Sequence, residues 1–217
     1  NSKLHVLHIS TKDEIELFDA GLIETKKITS EVCIPHLLFS SSDYKNLGSL
    51  IKCNPSIKAN SDKTALRQAL KEGVIDYVAT DHAPHILSEK EKNYLNSPSG
   101  MPSVQHSFLA VLEMVHDGDL EITDVPKITS HNVAKRFEIK DRGFINEGFW
   151  ADLVLVNMND LYEVKKEKIF YKCGWSPFES YTFKSRIIET IINGERVCSQ
   201  GEILSDKIGQ KLEFLRG

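Results

Sequence analysis

The sequence lacks the long runs and charge excesses that mark several classes of protein. No apolar run approaches the roughly 20 residues needed to cross a bilayer, so no membrane partner is expected. The formal charge of −4 gives no reason to expect binding to nucleic acid. No internal repeat or low-complexity segment is present. What remains is an ordinary globular composition, with 41% hydrophobic and 27% charged residues.

Paired metal-binding motifs are also missing. The four cysteines contain no Cys-x-x-Cys pair, and no His-x-His pair occurs anywhere in the chain. A zinc knuckle is therefore not expected, and scattered cysteines predict reduced thiols in a cytoplasmic protein. The chain shows no signal peptide and opens at Asn1 without an initiator methionine, so we expect a fragment, a processed chain or a trimmed one.

A short apolar segment ends abruptly in acid and imidazole side chains. Residues 74–79 are apolar, partly β-branched and preceded by Gly73, which predicts a buried strand. Asp81, His82 and His85 follow within a few residues. In a (β/α) barrel the carboxyl ends of the strands carry the chemistry, and a carboxylate beside imidazoles suits a metal site. A polar turn broken by Pro84 is an equally weighted interpretation of the same residues.

Strand and helix patterns alternate before that point. Residues 4–10 predict a strand, followed by a helix that Ser10 or Thr11 caps and whose apolar stripe reaches Leu22. Residues 28–34 predict a second strand, and residues 61–70 a second helix. The alternation is typical of a parallel sheet. His5 and His8 are three apart, so they should point to opposite faces, and a lone strand histidine is more often a hydrogen-bonded core residue than a ligand.

The second half of the chain has a different pattern of polar and apolar residues. Residues 86–102 form a long polar excursion, typical of a loop that covers a substrate, and residues 103–116 and 123–137 predict helices. From residue 143 the pattern is β, with Asn193–Gly194 as a type I′ hairpin signal. We predict a barrel part over residues 1–140 and a β part with a tail over residues 141–217. A helix is one option for residues 207–217.

These segments together resemble the dihydroorotases of the amidohydrolase superfamily. The most specific resemblance lies in residues 4–11, 52–55 and 76–85, with support from residues 31–39, 99–100 and 148–154. The family has two adjacent histidines where this chain has only His36, and residues 100–106 also differ from the commoner form. These departures leave the subgroup open.

The resemblance implies an α/β fold, namely the C-terminal part of a (β/α)8 TIM-like barrel plus part of a small β-sandwich. It implies zinc, two ions per intact site, with His8 and Asp81 as metal ligands and Asp81 also as the catalytic acid–base group. Residues implied to hold the substrate are Asn54, His85, Ser99 and Gly100. His82 is expected to support or pack. The family's His-x-His, bridging ligand and a further histidine have no match here, so we expect the carboxyl-terminal half of an enzyme, inactive alone.

The implied reaction interconverts N-carbamoyl-L-aspartate and L-dihydroorotate, as in pyrimidine biosynthesis. An allantoinase or hydantoinase is the alternative within enzymes, because allantoinases share a segment like residues 79–85. A non-catalytic, dihydroorotase-like scaffold protein is the alternative outside them. The expected partners are a small-molecule substrate and, as one option, a second copy of the chain.

Overall fold

Three short parallel strands form the first sheet of this mixed α/β protein. In the computed structural model, which describes residues 2–205 and 209–215, the strands are β1 (Leu4–Val6), β2 (Ile28–Cys33) and β3 (Tyr77–Ala79). β2 lies between β1 and β3, and both pairings are parallel. All three strands therefore end at the same edge of the sheet.

Eight helices occur in the described part of the chain, and most of them pack around a core that includes Val32 of this sheet. They comprise α1 (Lys12–Ile15), α2 (Ile34–Leu38), α3 (Tyr44–Leu47), α4 (Asn60–Lys71), α5 (Leu87–Lys90), α6 (Ser107–His116), α7 (Asp124–Pro126) and α8 (Asn132–Phe137), with one π turn (Lys127–His131) joining α7 to α8. Short 3-10 turns occupy Ser41–Asp43, Gly48–Ile51 and Lys166–Lys168. Among the described residues, no helix combines the length and apolar character that a membrane crossing requires.

A second, antiparallel sheet follows. Its strands are ordered β4 (Leu153–Asn157), β7 (Arg186–Ile192), β8 (Glu195–Ser199) and β9 (Glu202–Ile203), while β5 (Tyr162–Glu163) pairs with β6 (Thr182–Phe183) separately. The turn between β7 and β8 has Asn193 at φ 53° and Gly194 at φ 82°. Two consecutive positive φ angles are those of a type I′ turn, which confirms the predicted hairpin.

One hydrophobic core joins the two halves of the chain. Val32 and Leu37 from the first sheet region, and Leu112 from α6, are buried in the same cluster as Phe178 and Phe183. Burial of this shared apolar surface is the main force that holds the two halves of the chain together. The division of the chain at residue 140 stays a prediction.

The opposite face of the parallel sheet carries a polar cluster around His5. The His5 ring lies 3.0 Å from Thr29 Oγ1 through Nδ1, and 3.0 Å from Glu31 and 2.7 Å from the Tyr77 hydroxyl through Nε2. The strand register places all four residues on one face, because alternate side chains share a face. His5 is thus a hydrogen-bonded residue of the sheet, the commoner fate of a strand histidine.

Two of the expected elements end several residues before the bound that the sequence predicts. The first strand ends at Val6 because His8 adopts a left-handed backbone at φ 42°. The helix expected to reach Leu22 ends at Ile15, since the next amides, those of Leu17 and Phe18, bond three residues back instead of four. The helix prediction was therefore wrong beyond Ile15. Of the apolar residues expected there, Leu17 and Leu22 are exposed, whereas Phe18 packs against the core.

The end of the chain is extended over its described part. Residues 209–215 contain no helix, and Phe214 forms an antiparallel bridge with Ile139. The helical option for the tail is therefore wrong over residues 209–215; residues 207, 208, 216 and 217 lie outside the described residues.

Candidate active site

The three parallel strands bring distant parts of the chain to one edge. His8 follows β1, His36 lies in α2 directly after β2, and Asp81 follows β3. In parallel sheets with helical crossovers, ligands and catalytic groups lie at the carboxyl ends of the strands. Asp81 stands two residues past the end of β3, as the sequence predicts.

His8 and Asp81 share an uncommon backbone conformation. Their φ angles are 42° and 47°, in the left-handed region that few residues other than glycine adopt. Such conformations cost free energy of order 1–3 kcal/mol and cluster at functional sites. Neighbouring contacts hold both positions: the Ile9 amide donates to Glu31 O at 2.9 Å, and the Ser103 hydroxyl donates to Thr80 O at 2.7 Å.

The imidazole of His36 lies within electrostatic reach of both predicted ligands. Burial lowers the pKa of His36, the Asp81 carboxylate opposes that change, and His8 adds to it. The Nε2 of His36 lies 2.8 Å from the carbonyl of Pro55, so this nitrogen carries the proton and donates. The Nδ1 of His36 is then an acceptor, and it is buried without a hydrogen-bond partner among the described residues.

A complete metal site is not formed by this chain. Within residues 2–205 and 209–215, no group of three or more His, Cys, Asp and Glu side chains is arranged to hold a metal ion. The nitrogen of His8 and the oxygens of Asp81 are chemically suitable for zinc, but zinc sites use three or four protein ligands. The donor set present here therefore falls short of a zinc site by at least one ligand.

The residues predicted to hold the substrate lie on three adjoining segments. The Nε2 of His85 donates to Ser99 O at 3.1 Å, which joins the segment after β3 to the loop of residues 97–100. The Gly100 amide donates to Lys52 O at 2.8 Å, which joins that loop to the segment bearing Asn54. Asn54 is exposed, with its side chain at the surface of this arrangement.

Gly100 is required by close packing. Its φ is +125°, and a Cβ added there would lie 2.5 Å from Ala83 O and 2.7 Å from Ala83 Cβ. Both distances are shorter than real Cβ contacts, so only glycine fits without movement of the Ala83 backbone. The loop of residues 97–100 can thereby lie directly against the segment that follows Asp81.

His82 packs at the rim of this region. Its Nδ1 accepts from the Ser103 amide at 3.1 Å, and its ring lies 5.2 Å from that of Tyr171. These contacts agree with the supporting role expected of it. An open depression beside the segment that follows Asp81 is lined by His82, His85, Tyr171 and Cys173.

Lys90 is a feature that the sequence does not reveal. It follows Glu89 in a charged segment, a pattern typical of a solvated face, yet its side chain is fully buried. Its ammonium contacts three main-chain carbonyls, those of Lys52, Pro98 and Gly100, which only the folded chain brings together. No local pattern marks this residue.

Comparisons with known proteins identify the family of this chain. Residues 4–197 match the Amidohydrolase family. A dihydroorotase of Endomicrobium trichonymphae is 33% identical over 195 residues, which cover 89% of this chain and 46% of that protein. A dihydroorotase of Pyrococcus abyssi is 31% identical, with 96% and 49% covered. An allantoinase of Bacillus velezensis is 34% identical, with 91% and 44% covered. The chain spans about half the length of the curated relatives it matches.

Solved structures agree on the fold. The L-hydantoinase (dihydropyrimidinase) from Arthrobacter aurescens superimposes with a TM-score of 0.87 at 24% identity, over 97% of this chain and 48% of that one. The dihydropyrimidinase from Brevibacillus agri gives a TM-score of 0.81 at 21% identity, over 93% and 46%. The match to the family model, over most of the chain, and the fold lead to one assignment: this chain belongs to the amidohydrolase family.

Proposed function

We propose that this chain is the carboxyl-terminal half of a dihydroorotase, which interconverts L-dihydroorotate and N-carbamoyl-L-aspartate by opening and closing a cyclic amide. The observation that carries the proposal is the position of Asp81 and His8, in left-handed conformations at the same edge of a parallel sheet. Relatives named dihydroorotase at 31% and 33% identity support this substrate. The strands β1 to β3 would be the last three of a (β/α)8 barrel, and β4 to β9 would belong to a β-sandwich.

Asp81 has the central chemical role in this proposal. Its carboxylate, held at the strand end, would take the proton from the attacking water and give it to the leaving ring nitrogen. His8 would provide a nitrogen ligand on the same side of the site. Zinc, when bound, lowers the pKa of water and polarises a carbonyl. Because His8 and Asp81 are too few to hold zinc, the remaining ligands would come from the amino-terminal half of the enzyme.

The substrate would lie among the three segments described above. The Asn54 amide offers both donors and an acceptor to the ring or its carboxylate. His85 would orient the substrate from the segment after β3, and the backbone at Ser99 and Gly100 would supply main-chain contacts. The four free cysteines support the expectation of a reducing, cytoplasmic setting.

An allantoinase or hydantoinase is the second candidate. The relative from Bacillus velezensis is named an allantoinase, and its 34% identity is no lower than that of the two dihydroorotases above. The three activities share the opening of a ring amide, so residues at the strand ends do not separate them. The substituents on the ring do distinguish the three activities, because each substituent is bound by different polar contacts.

Turnover assays on a full-length protein that contains this chain test the proposal. L-dihydroorotate, hydantoin and allantoin are supplied in turn with zinc present, and ring opening is followed by absorbance. We expect kcat/KM for dihydroorotate to exceed the other two by at least about tenfold, because a site that hydrogen-bonds the polar groups of its own substrate rejects analogues that lack them. A preference for allantoin would favour the second candidate, and no turnover of any ring amide would favour a scaffold protein.

The chain assayed by itself is the comparison for the full-length protein. We expect it to be inactive and to bind zinc weakly, because two protein ligands do not hold zinc well. Equilibrium dialysis with zinc measures the binding. Hydrolysis of dihydroorotate by the chain alone at the rate of the full-length protein would contradict the proposal that the site needs ligands from elsewhere.

A further inference from the structure

Lys90 is a lysine without a carboxylate at the centre of the candidate substrate-binding segments. Its side chain is fully buried, and among the described residues no acidic side chain forms an ion pair with it. Its Nζ lies 3.2 Å from Lys52 O, 2.9 Å from Pro98 O and 2.7 Å from Gly100 O. An ammonium group has three N–H donors, so the three carbonyls match its full donor capacity.

Burial of the Lys90 ammonium costs free energy, because the charge loses its contacts with water. Burial lowers the pKa of Lys90 to about 8, which still leaves the group mostly protonated at neutral pH. The carbonyl dipoles offset part of the cost, but a methionine of similar size would fill the same space with no charge to bury. Packing alone therefore does not explain a lysine here.

The three carbonyls belong to the segments that carry the predicted substrate contacts. Lys52 lies two residues before Asn54, while Pro98 and Gly100 stand on either side of Ser99. Lys52 O also accepts a hydrogen bond from the Gly100 amide at 2.8 Å. The Lys90 ammonium therefore adds to a contact that already joins residues 52–55 to residues 97–100. Carbonyls repel one another when brought together, and one cation between them removes that repulsion.

The backbone of Lys90 is held at the same place. Its carbonyl accepts from the hydroxyls of Ser49 and Ser97, one on each side of the junction. Lys52 adds a second set of contacts between these segments, because its ammonium donates to Tyr94 O and Ser97 O, each at 2.7 Å. The short helix α5 that ends in Lys90 is therefore fixed at both its main chain and its side chain.

We propose that Lys90 is a positioning residue that sets the distance between Asn54 and the backbone at Ser99 and Gly100, and thereby the affinity for the cyclic amide. This inference rests on the proposed function. Lys90 does not touch the substrate or the reacting atoms; it acts through the loop of residues 97–100 and the segment of residues 52–55. Its loss should weaken substrate binding and leave the chemical step at Asp81 largely unchanged.

Three variants of the full-length protein test this role. Lys90→Met keeps the length of the side chain and removes all three donors, Lys90→Gln keeps two N–H donors on a shorter chain, and Lys92→Met is the control. Lys92 lies two residues away and is exposed. We expect KM for dihydroorotate to rise about tenfold or more in Lys90→Met and less in Lys90→Gln, with kcat within about threefold of wild type and unchanged zinc content. Lys92→Met should match the wild type.

Several outcomes would overturn the proposal. An unchanged KM in both Lys90 variants would remove the positioning role. Equal falls in kcat and zinc content would assign Lys90 to the metal site instead. If Lys90→Met does not fold, Lys90→Gln decides by the same criteria, and loss of the fold in both would show that Lys90 supports the whole molecule.

A readout without substrate separates this proposal from the proposed function. Amide hydrogen exchange at Gly100 reports directly on its bond to Lys52 O, whatever ring the enzyme opens. We expect exchange to accelerate about tenfold in Lys90→Met and to stay unchanged in Lys92→Met. If no ring amide is turned over but Gly100 loses protection, the proposed function fails, and only the structural part of the inference stands, namely that Lys90 holds residues 97–100 against residues 52–55. Unchanged protection at Gly100 overturns the positioning role even in an active enzyme.

Discussion

The carboxylate of Asp81 is the group on which the proposed chemistry depends. Asp81→Asn keeps the size of the side chain and removes both the proton acceptor and the negative charge. We expect kcat of the full-length protein to fall by about 10²–10⁴-fold, the range for loss of a general acid–base group. Far-UV circular dichroism should remain as in wild type, because Asp81 lies in a loop outside the shared core.

Asp13→Asn is the matched control, since Asp13 is an exposed carboxylate on α1. Its activity should equal that of the wild type. Retention of wild-type turnover by Asp81→Asn would show that Asp81 is not the acid–base group.

Gly100 allows a test of close packing at single-residue precision. Gly100→Ala puts a Cβ 2.5 Å from Ala83 O, whereas Gly118→Ala at φ +80° meets no heavy atom within 4 Å. Both substitutions carry the cost of a positive φ, about 1–3 kcal/mol, and only the first adds a steric overlap. Urea denaturation should show the larger loss of unfolding free energy for Gly100→Ala. Equal losses of unfolding free energy in the two variants would mean that the Ala83 backbone moves away from the added Cβ at little cost.

At the level of elements, a buried ion pair secures the amino-terminal ends of β2 and β3. The ammonium of Lys26 lies 2.8 Å from Asp76 and also donates to the carbonyls of Gly73 and Val74. The second Asp76 oxygen accepts from the Ser30 amide at 2.9 Å. Both charged side chains are nearly fully buried, so neither is compensated by water.

Asp76→Asn should therefore be strongly destabilising. Removal of one charge leaves the Lys26 ammonium buried without its counter-charge, at a cost of about 3–5 kcal/mol in unfolding free energy. The double variant Lys26→Met with Asp76→Leu should recover part of that loss, and exposed Lys27→Met should cost little. Chemical denaturation of the four proteins measures these values. A loss below about 1 kcal/mol in Asp76→Asn would show that the pair is not important for stability.

The elements differ in how far local sequence predicts them. The hairpin at Asn193 and Gly194 follows from steric limits on two residues, so its turn is predicted correctly. The strand before Asp81 is predicted from the short apolar run that follows Gly73, and Gly73 ends α4 in a left-handed conformation at φ 71°. The helix expected to reach Leu22 ends at Ile15, because an apolar stripe stabilises a helix only where another surface covers it, and Leu17 and Leu22 are exposed.

For the molecule as a whole, the burial of His106 links stability to pH. His106 is 1% exposed between aromatic rings, and burial lowers its pKa to about 4. Its unfolded pKa is about 6.5, so below that pH the unfolded chain binds more protons than the folded one. The contribution of neutral His106 is complete above about pH 6.5 and is lost as the pH falls towards 4, up to about 3 kcal/mol.

His106→Phe tests this linkage. The variant has no titrating group at this position, so its unfolding free energy should fall less than that of wild type between pH 7 and pH 4. Denaturation curves at several pH values provide the measurement. Parallel decreases in the two proteins would show that other groups dominate the acid response.

Short-range chemistry in the chain was enough to place Asp81 at the end of a strand, to predict the alternation of strand and helix, and to locate the hairpin. Those features depend on sterics and hydrogen bonds among residues a few positions apart. The neighbours of His36, the burial of Lys90 and the shared core arise from contacts between distant segments, such as Lys90 with Lys52, 38 positions apart. Such contacts exist only after the strands align, because parallel pairing joins segments that no local pattern connects.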